Sequence, residues 1–457
     1  MEAEKNHKAE KRKRLKIKTA VWVLLCVVIL IFLVIVLLPW FVSSEMGRRI
    51  ILAKINDSAD GEVDFGSLSM GWFKGIRVSD VTFGDSTGRM SVAARQITTK
   101  PRYGSILAGS LSFGETIVDE PRVEINFEGL QAKPSEGFVQ ETGSDQEQGA
   151  RLLPVKQVDL VVNDGSLKVT GRGGRRVEVT GISCGLAANA VGGYRADEPL
   201  AGLNAEGRLG FERAEYMGFD FGRTEVDVQI QDGVLRIAPF STVVNNGQLN
   251  FAGEADFKQM PAILKTTGPI HIVKNIQIND QTTEKLLIYL NPVFAGAVNV
   301  SGMANFNCEQ LAIPLVGASK NDIEVVGTVS IEGLRLQASA LLDLVLSMVG
   351  TRAKEQVITV RPTKFILRDG FVRYDDMQMD VGDNPVNFKG VIGLDKSLNM
   401  TVTLPYTFAG RTVRVGGADT EDRVSVPLRG TLDKPELDLG KLLQEQLLEM
   451  GLRELFK

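Results

Sequence analysis

Side chains suited to acid–base, nucleophilic or metal chemistry are sparse in this chain: two histidines and three cysteines occur among 457 residues. His7 sits in a basic N-terminal stretch. His271 has no nucleophile or metal partner near it in sequence and reads as a plain strand residue. Cys26 lies within an apolar run, and Cys184 and Cys308 are too far apart for spacing to decide whether they pair. No zinc-type Cys/His cluster is present, so all three read as small buried thiols. Asp375-Asp376 and Asp380…Asp383 could offer carboxylates to calcium at an acidic turn, yet their surroundings read as hairpin chemistry. Gly-rich phosphate loops, Ser elbows and metal motifs do not occur. The expectation is a protein without enzymatic activity: no catalytic residues, no cofactor, no metal.

The elements explain why. Residues 1–18 carry eight Lys/Arg against three Glu, so the net charge of −4 for the whole chain hides an acidic remainder. An acidic body lacks the clustered cations that phosphate contacts need, which excludes nucleic acid as a partner. Thr19–Leu38 then follows without a single charge. At ~1.5 Å per helical residue, twenty residues reach about the hydrocarbon thickness of a bilayer. Trp22 and Trp40 stand where interfacial aromatics are favoured, Leu30 falls at the middle, and Pro39 stops the helix. The cationic flank stays cytoplasmic under the positive-inside rule. A cleaved signal peptide is the competing reading; its apolar region would run ~7–15 residues, shorter than this one, and a clear small-x-small site is missing. The expectation is an uncleaved single-pass anchor at 19–42, with the body exported.

Period-2 alternation recurs along that body. In Val298–Cys308, Val298, Val300, Ala304, Phe306 and Cys308 alternate with Asn299, Ser301, Asn305 and Asn307. In Ile323–Ile331, Ile323, Val325, Val329 and Ile331 share a face. Further strands are readable at Val226–Ile230, Leu249–Phe257, Val386–Leu394 and Leu398–Leu404, and one-sided sheets of this kind are typically antiparallel. Asp164-Gly165, Asp232-Gly233, Asn246-Gly247 and Asp369-Gly370 mark tight hairpins. Helical patterns are few: Thr282–Asn291, an apolar cluster within Gln337–Arg352, and an amphipathic tail from Leu439 to Phe456. Residues 232–253 align without a gap to 369–390, matching at Asp-Gly, Arg and Asn-Phe-x-Gly, the mark of a repeated β unit.

Alternation leaves two architectures open. The apolar faces of two sheets can meet as a core ~10 Å thick, or one sheet can leave its apolar face as a trough. In a trough, acyl chains would escape water at about 0.8 kcal/mol per methylene.

Two regions resemble the AsmA-like family, the AsmA/TamB-type envelope proteins related in architecture to bridge-like lipid-transfer proteins. The first runs from Gly61 to Asp85 through Trp72-Phe-Lys-Gly75, then through Tyr103–Gly109 and Thr116–Ile125 with Pro121. The second is Phe365–Leu404 together with Val426-Pro-Leu-Arg-Gly430 to Pro435. The resemblance implies a mostly β protein: one N-terminal transmembrane helix, an extended, curled antiparallel sheet (groove- or taco-like), a few short helices and a C-terminal amphipathic helix. The expected organisation is a basic cytoplasmic tail (1–18), the span (19–42), an AsmA-like N-terminal β region (45–130), a linker or long loop (131–150), a central β region (151–350), an AsmA-like C-terminal β region (355–438) and the tail helix (439–457). It further implies a protein of the inner (cytoplasmic) membrane with its body in the periplasm, taking part in outer-membrane biogenesis by phospholipid transport. The alternative is a non-enzymatic assembly factor or scaffold with an envelope or outer-membrane protein partner. The residues expected to face lipid are Val298, Val300, Phe306, Val325, Val329 and Ile331.

Overall fold

The structure, a computed structural model, describes residues 37–438 apart from 38, 58, 108–110, 128–154, 172–175, 191–202, 259–260, 317–318, 338–340, 342–354, 382–383, 406, 409–410 and 413–422. The predicted linker, the tail helix and most of the predicted span, Trp22 and Leu30 included, lie outside the described residues. Among the described residues no helix is long and apolar enough to cross a membrane. The fold is mostly β and antiparallel, in two compact units: Met1–Ile125 with Gln140–Val155, and Asn126–Val139 with Lys156–Lys457.

The first unit holds α1 (Glu45–Asn56), β1 (Gly61–Asp64), β2 (Ser67–Gly71), β3 (Gly75–Asp85), β4 (Met90–Pro101), α2 (Tyr103–Leu107), β5 (Leu111–Asp119) and β6 (Arg122–Asn126). β1 and β2 pair successively along β3; β3 pairs with β4, which in turn carries β5 and β6. Trp72-Phe-Lys-Gly75 forms the β2–β3 turn. Gly75 has φ +80°, and a Cβ there would lie 2.3 Å from the Thr99 carbonyl oxygen, so only glycine fits. α1 is capped by the Ser44 side chain and fastened to β1: Arg48 Nε donates to the Phe65 carbonyl (2.6 Å), and the Val63 N–H donates to Asn56 Oδ1 (2.7 Å).

The second unit runs β7 (Val155–Thr170), β8 (Arg176–Ala190), β9 (Leu203–Phe211), β10 (Arg213–Tyr216), β11 (Phe219–Phe221), β12 (Thr224–Gln231), β13 (Val234–Val244), β14 (Gly247–Asp256), β15 (Ala262–Thr266) and β16 (Ile270–Ile278). It continues with β17 (Val298–Val316), β18 (Glu324–Gln337), β19 (Glu355–Arg368), β20 (Phe371–Val381), β21 (Asn384–Gly393), β22 (Leu398–Pro405), the small pair β23 (Thr407–Phe408) and β24 (Arg411–Thr412), β25 (Arg423–Thr431) and β26 (Lys434–Leu437). Each strand pairs with the next in an antiparallel meander, with β9–β10, β11–β12 and β15–β16 acting as single interrupted strands. β18 and β19 pair through to Gln337–Glu355.

The repeated segments are the β13–β14 and β20–β21 hairpins. Asp232-Gly233 and Asp369-Gly370 both have positive φ, as a tight hairpin turn into the next strand requires. Each hairpin carries a bulge at the same place, between Ile237 and Phe240 and between Tyr374 and Met377. Phe240 faces Phe251 as Met377 faces Phe388, and Ile237 faces Gly253 as Tyr374 faces Gly390. The closing bonds correspond too: Phe257 N–H to the Gly233 carbonyl (2.9 Å) and Leu394 N–H to the Gly370 carbonyl (2.8 Å).

The core is concentrated in β17–β22 and β25. Ile358, Val360, Met379, Val386, Phe388, Met400, Val402 and Leu428 belong to one cluster and are almost wholly removed from water. A helical segment at 280–290 and a 3₁₀ turn, Pro292–Phe294, lie on that cluster, contributing Leu287, Val293 and Phe294. Asn279 caps the segment through a reciprocal bond pair with Thr282, and Asn291 Nδ2 donates to Met377 Sδ (3.3 Å). The helix predicted at Thr282–Asn291 is therefore the lid on the sheet's apolar face. Of the apolar cluster predicted around 341–346, Leu341 is described and joins the same core.

Candidate functional site: the open half of the apolar face

The register shows how far the apolar face extends. Leu160 faces Leu186, Leu186 faces Gly207, Gly207 faces Val228, and Val228 faces Ile237, one row across five strands. A parallel row runs Val162, Cys184, Leu209, Val226. Another runs Val158, Ala188, Ala205, Ile230, Leu235, Ala255. Every residue in these rows is apolar or glycine.

The exposure of this face changes along the meander. In β19–β22 its residues are buried almost throughout, Leu367 being partly covered. From β7 to Ile237 of β13 its Val, Leu and Ile side chains are only half-buried, and Leu209 is 42% exposed, whereas Val244 at the end of β13 is buried. The duplicated hairpins make the comparison internal: Phe388 is 0% exposed beneath the 280–294 segment, while its counterpart Phe251 is only partly covered. The backbone is shared and the cover is not. A contiguous half-exposed apolar surface of this breadth marks a place where something apolar is bound.

The opposite face of the same strands is polar. Arg208 Nε donates to Asp227 Oδ1 (2.7 Å), and this bond holds the Asp227 carboxyl below the usual carboxylate range. A groove of about 960 Å³ lies along these strands. It is lined by the apolar row Leu160, Leu186, Gly207, Val228 and Ile237 and by residues on either side of that row, among them Asp159, Ala187, Glu206, Arg208, Gln229 and Arg236. Among the described residues no group of three or more His, Cys, Asp and Glu is placed to hold a metal ion. His271 is an exposed residue of β16. Asp375 and Asp376 fall within the β20 bulge, where Asp376 Oδ1 accepts from Asn387 Nδ2 (2.7 Å).

The six residues expected to face lipid separate into three environments. Val300, Val329 and Ile331 are inside the main core cluster, covered by the protein's own side chains. Phe306 and Val325 bridge that cluster and a smaller one built on Ile272, Cys308 and Leu311. Val298 is 49% exposed because Asn299 adopts φ +54° and the register slips beyond it, turning Val298 away from Val300. Trp40, described as helical, is 75% exposed. Strict alternation picked out β17–β18, where most of the apolar residues are covered by protein, and did not single out Leu160, Leu186, Leu209 and Val228 on the open face. Their signal was the same alternation in 203–209 and 224–231. The chain matches no family model, no curated protein and no solved structure.

Proposed function

We propose that the protein is a single-pass protein of the inner membrane whose exported β body holds phospholipid acyl chains on the open half of its apolar face, in the service of outer-membrane biogenesis. One observation carries the reading: an apolar face that runs in register across β7–β13 and is only half-buried there, in a sheet whose strands β17–β25 are sealed by protein. Leaving such a face to water opposes folding by ~25 cal/mol per Å² of apolar surface; an acyl chain laid along Leu160, Leu186, Val228 and Ile237 removes that penalty and its own. The charged opposite face keeps the sheet soluble. The uncharged run Thr19–Leu38 and the AsmA-like likeness of the chain's two ends support the same reading.

Photo-cross-linking in the full chain tests it. A benzophenone amino acid at Val228 or Leu186 is expected to capture phospholipid, and at Val329 to capture only the protein's own side chains. Lipid capture at Val329 with none at Val228, or no lipid at any of the three, would refute the assignment. A second reading, an assembly factor with a protein client, is favoured by the charged face that carries Arg208 and Asp227. Capture of an envelope protein from Ala187, without lipid at Val228, would favour it.

A further inference from the structure

Among the described residues of the first unit, the five most exposed large apolar side chains, Phe73, Trp40, Met46, Ile50 and Leu37, lie beside the end of the uncharged run. Phe73, at the tip of the β2–β3 hairpin, is 100% exposed. The hairpin is held against the chain's entry into the unit, where the Met70 N–H donates to Ser43 Oγ (2.8 Å). On α1, Met46 and Ile50 stand one turn apart and are 64% and 54% exposed, on the side away from the Arg48 and Asn56 bonds to β1. Trp40 precedes them, also exposed. Arg49, Lys54 and Lys74 are exposed on the same two elements.

We infer that this patch is a membrane-contact surface: the hairpin tip and the outer stripe of α1 enter the headgroup region of the same leaflet through which Thr19–Leu38 emerges. The inference rests on the anchor proposed above. Three observations commit it to a bilayer rather than a protein or a second copy. The patch is continuous with the predicted end of the span, since only Pro39 to Ser44 separate Leu38 from α1. Its apolar residues are flanked by exposed charged side chains, Arg49 beside Glu45, Lys54 beside Asp57, and Lys74 on the hairpin, the apolar stripe with a charged border of an interfacial helix. The hairpin tip is stiffened from beneath, Trp72 meeting Tyr103 edge-on at 4.9 Å, so Phe73 is presented on a supported turn. Two contacts beyond the anchor would fix the tilt and rotation of the unit on the membrane, which a single helix followed by a short tether cannot do.

The full chain in phospholipid vesicles, with a photo-cross-linking amino acid at one position at a time, tests this. Labels at Leu30 and Phe73 are expected to capture lipid, and a label at Ser86, in the β3–β4 turn, to capture none. With the label at Lys74, Phe73→Ser is expected to lower lipid capture about tenfold, the equivalent of losing part of one buried ring. Capture at Leu30 but not at Phe73 overturns the contact surface and leaves the anchor standing. Failure at Leu30 overturns both. Equal capture at Phe73 and Ser86, or a dimeric product from Phe73, also overturns it, the latter by making the occupant a second copy.

Discussion

A Val300→Asp chain is expected to lose its cooperative fold under conditions in which a Val228→Asp chain keeps it. Val300 is 6% exposed within the main core, and its own N–H donates to Asp280 Oδ1 at 2.6 Å. A second carboxylate there would be stripped of water and set beside an existing like charge. Burial of an unpaired charge costs about 4 kcal/mol after relaxation, a large share of the stability of a domain. Val228 is half-buried on the open face, so its carboxylate can stay hydrated at about 1 kcal/mol. Urea titrations followed by circular dichroism measure the first difference. Mass spectrometry of co-purified lipid measures the second: Val228→Asp should retain its fold and release its lipid. If both variants unfold alike, β7–β13 is as sealed as β17–β25 and the proposed lipid site is lost with that result.

The duplicated hairpins supply the other large effect. Phe388→Ala is expected to cost about 3–5 kcal/mol, because a fully enclosed ring leaves a cavity its neighbours refill only in part. Phe251→Ala, at the matching position, is expected to cost about 1–2 kcal/mol, since water or lipid can occupy the vacated volume. Both substitutions remove the same ring from the same register position opposite a bulge. The difference in unfolding free energy therefore isolates the contribution of the 280–294 segment. Equal costs would mean that the two hairpins are covered to the same degree.

These contrasts also show what the sequence carries. The Asp-Gly turns, the alternating strands and the repeat were legible because each is local: positive φ at Asp232 and Asp369, period-2 side chains, and a fixed spacing that survives in the pairing. The bulges were not. Asn299 and Gly333 take positive φ inside β17 and β18, so Val298 turns outward while Leu334 and Leu336 enter the core. An extra residue in a strand inverts every later side, and nothing about an isolated Asn or Gly announces it. Cover was the least legible property of all. Alternation dictates which side of a strand is apolar, whereas Leu287, Val293 and Phe294 join the core of Met377 and Phe388 from a segment some ninety positions away, tied to it by Asn291. The short helix around Thr282–Asn291 could be read; its destination could not.

Cys184 turns the open face into a native chemical clock. Its thiol lies in the Val162–Leu209 row, half-buried and uncrosslinked, while Cys308 is 2% exposed. Burial pushes both thiols above their ordinary ionisation range, so both are slow nucleophiles. Of the two described thiols Cys184 alone is within reach of a small maleimide, and its alkylation half-life should lengthen whenever a chain of methylenes lies over that row. The unmodified protein thereby reports, without labels or substitutions, how much of the time its surface is dressed.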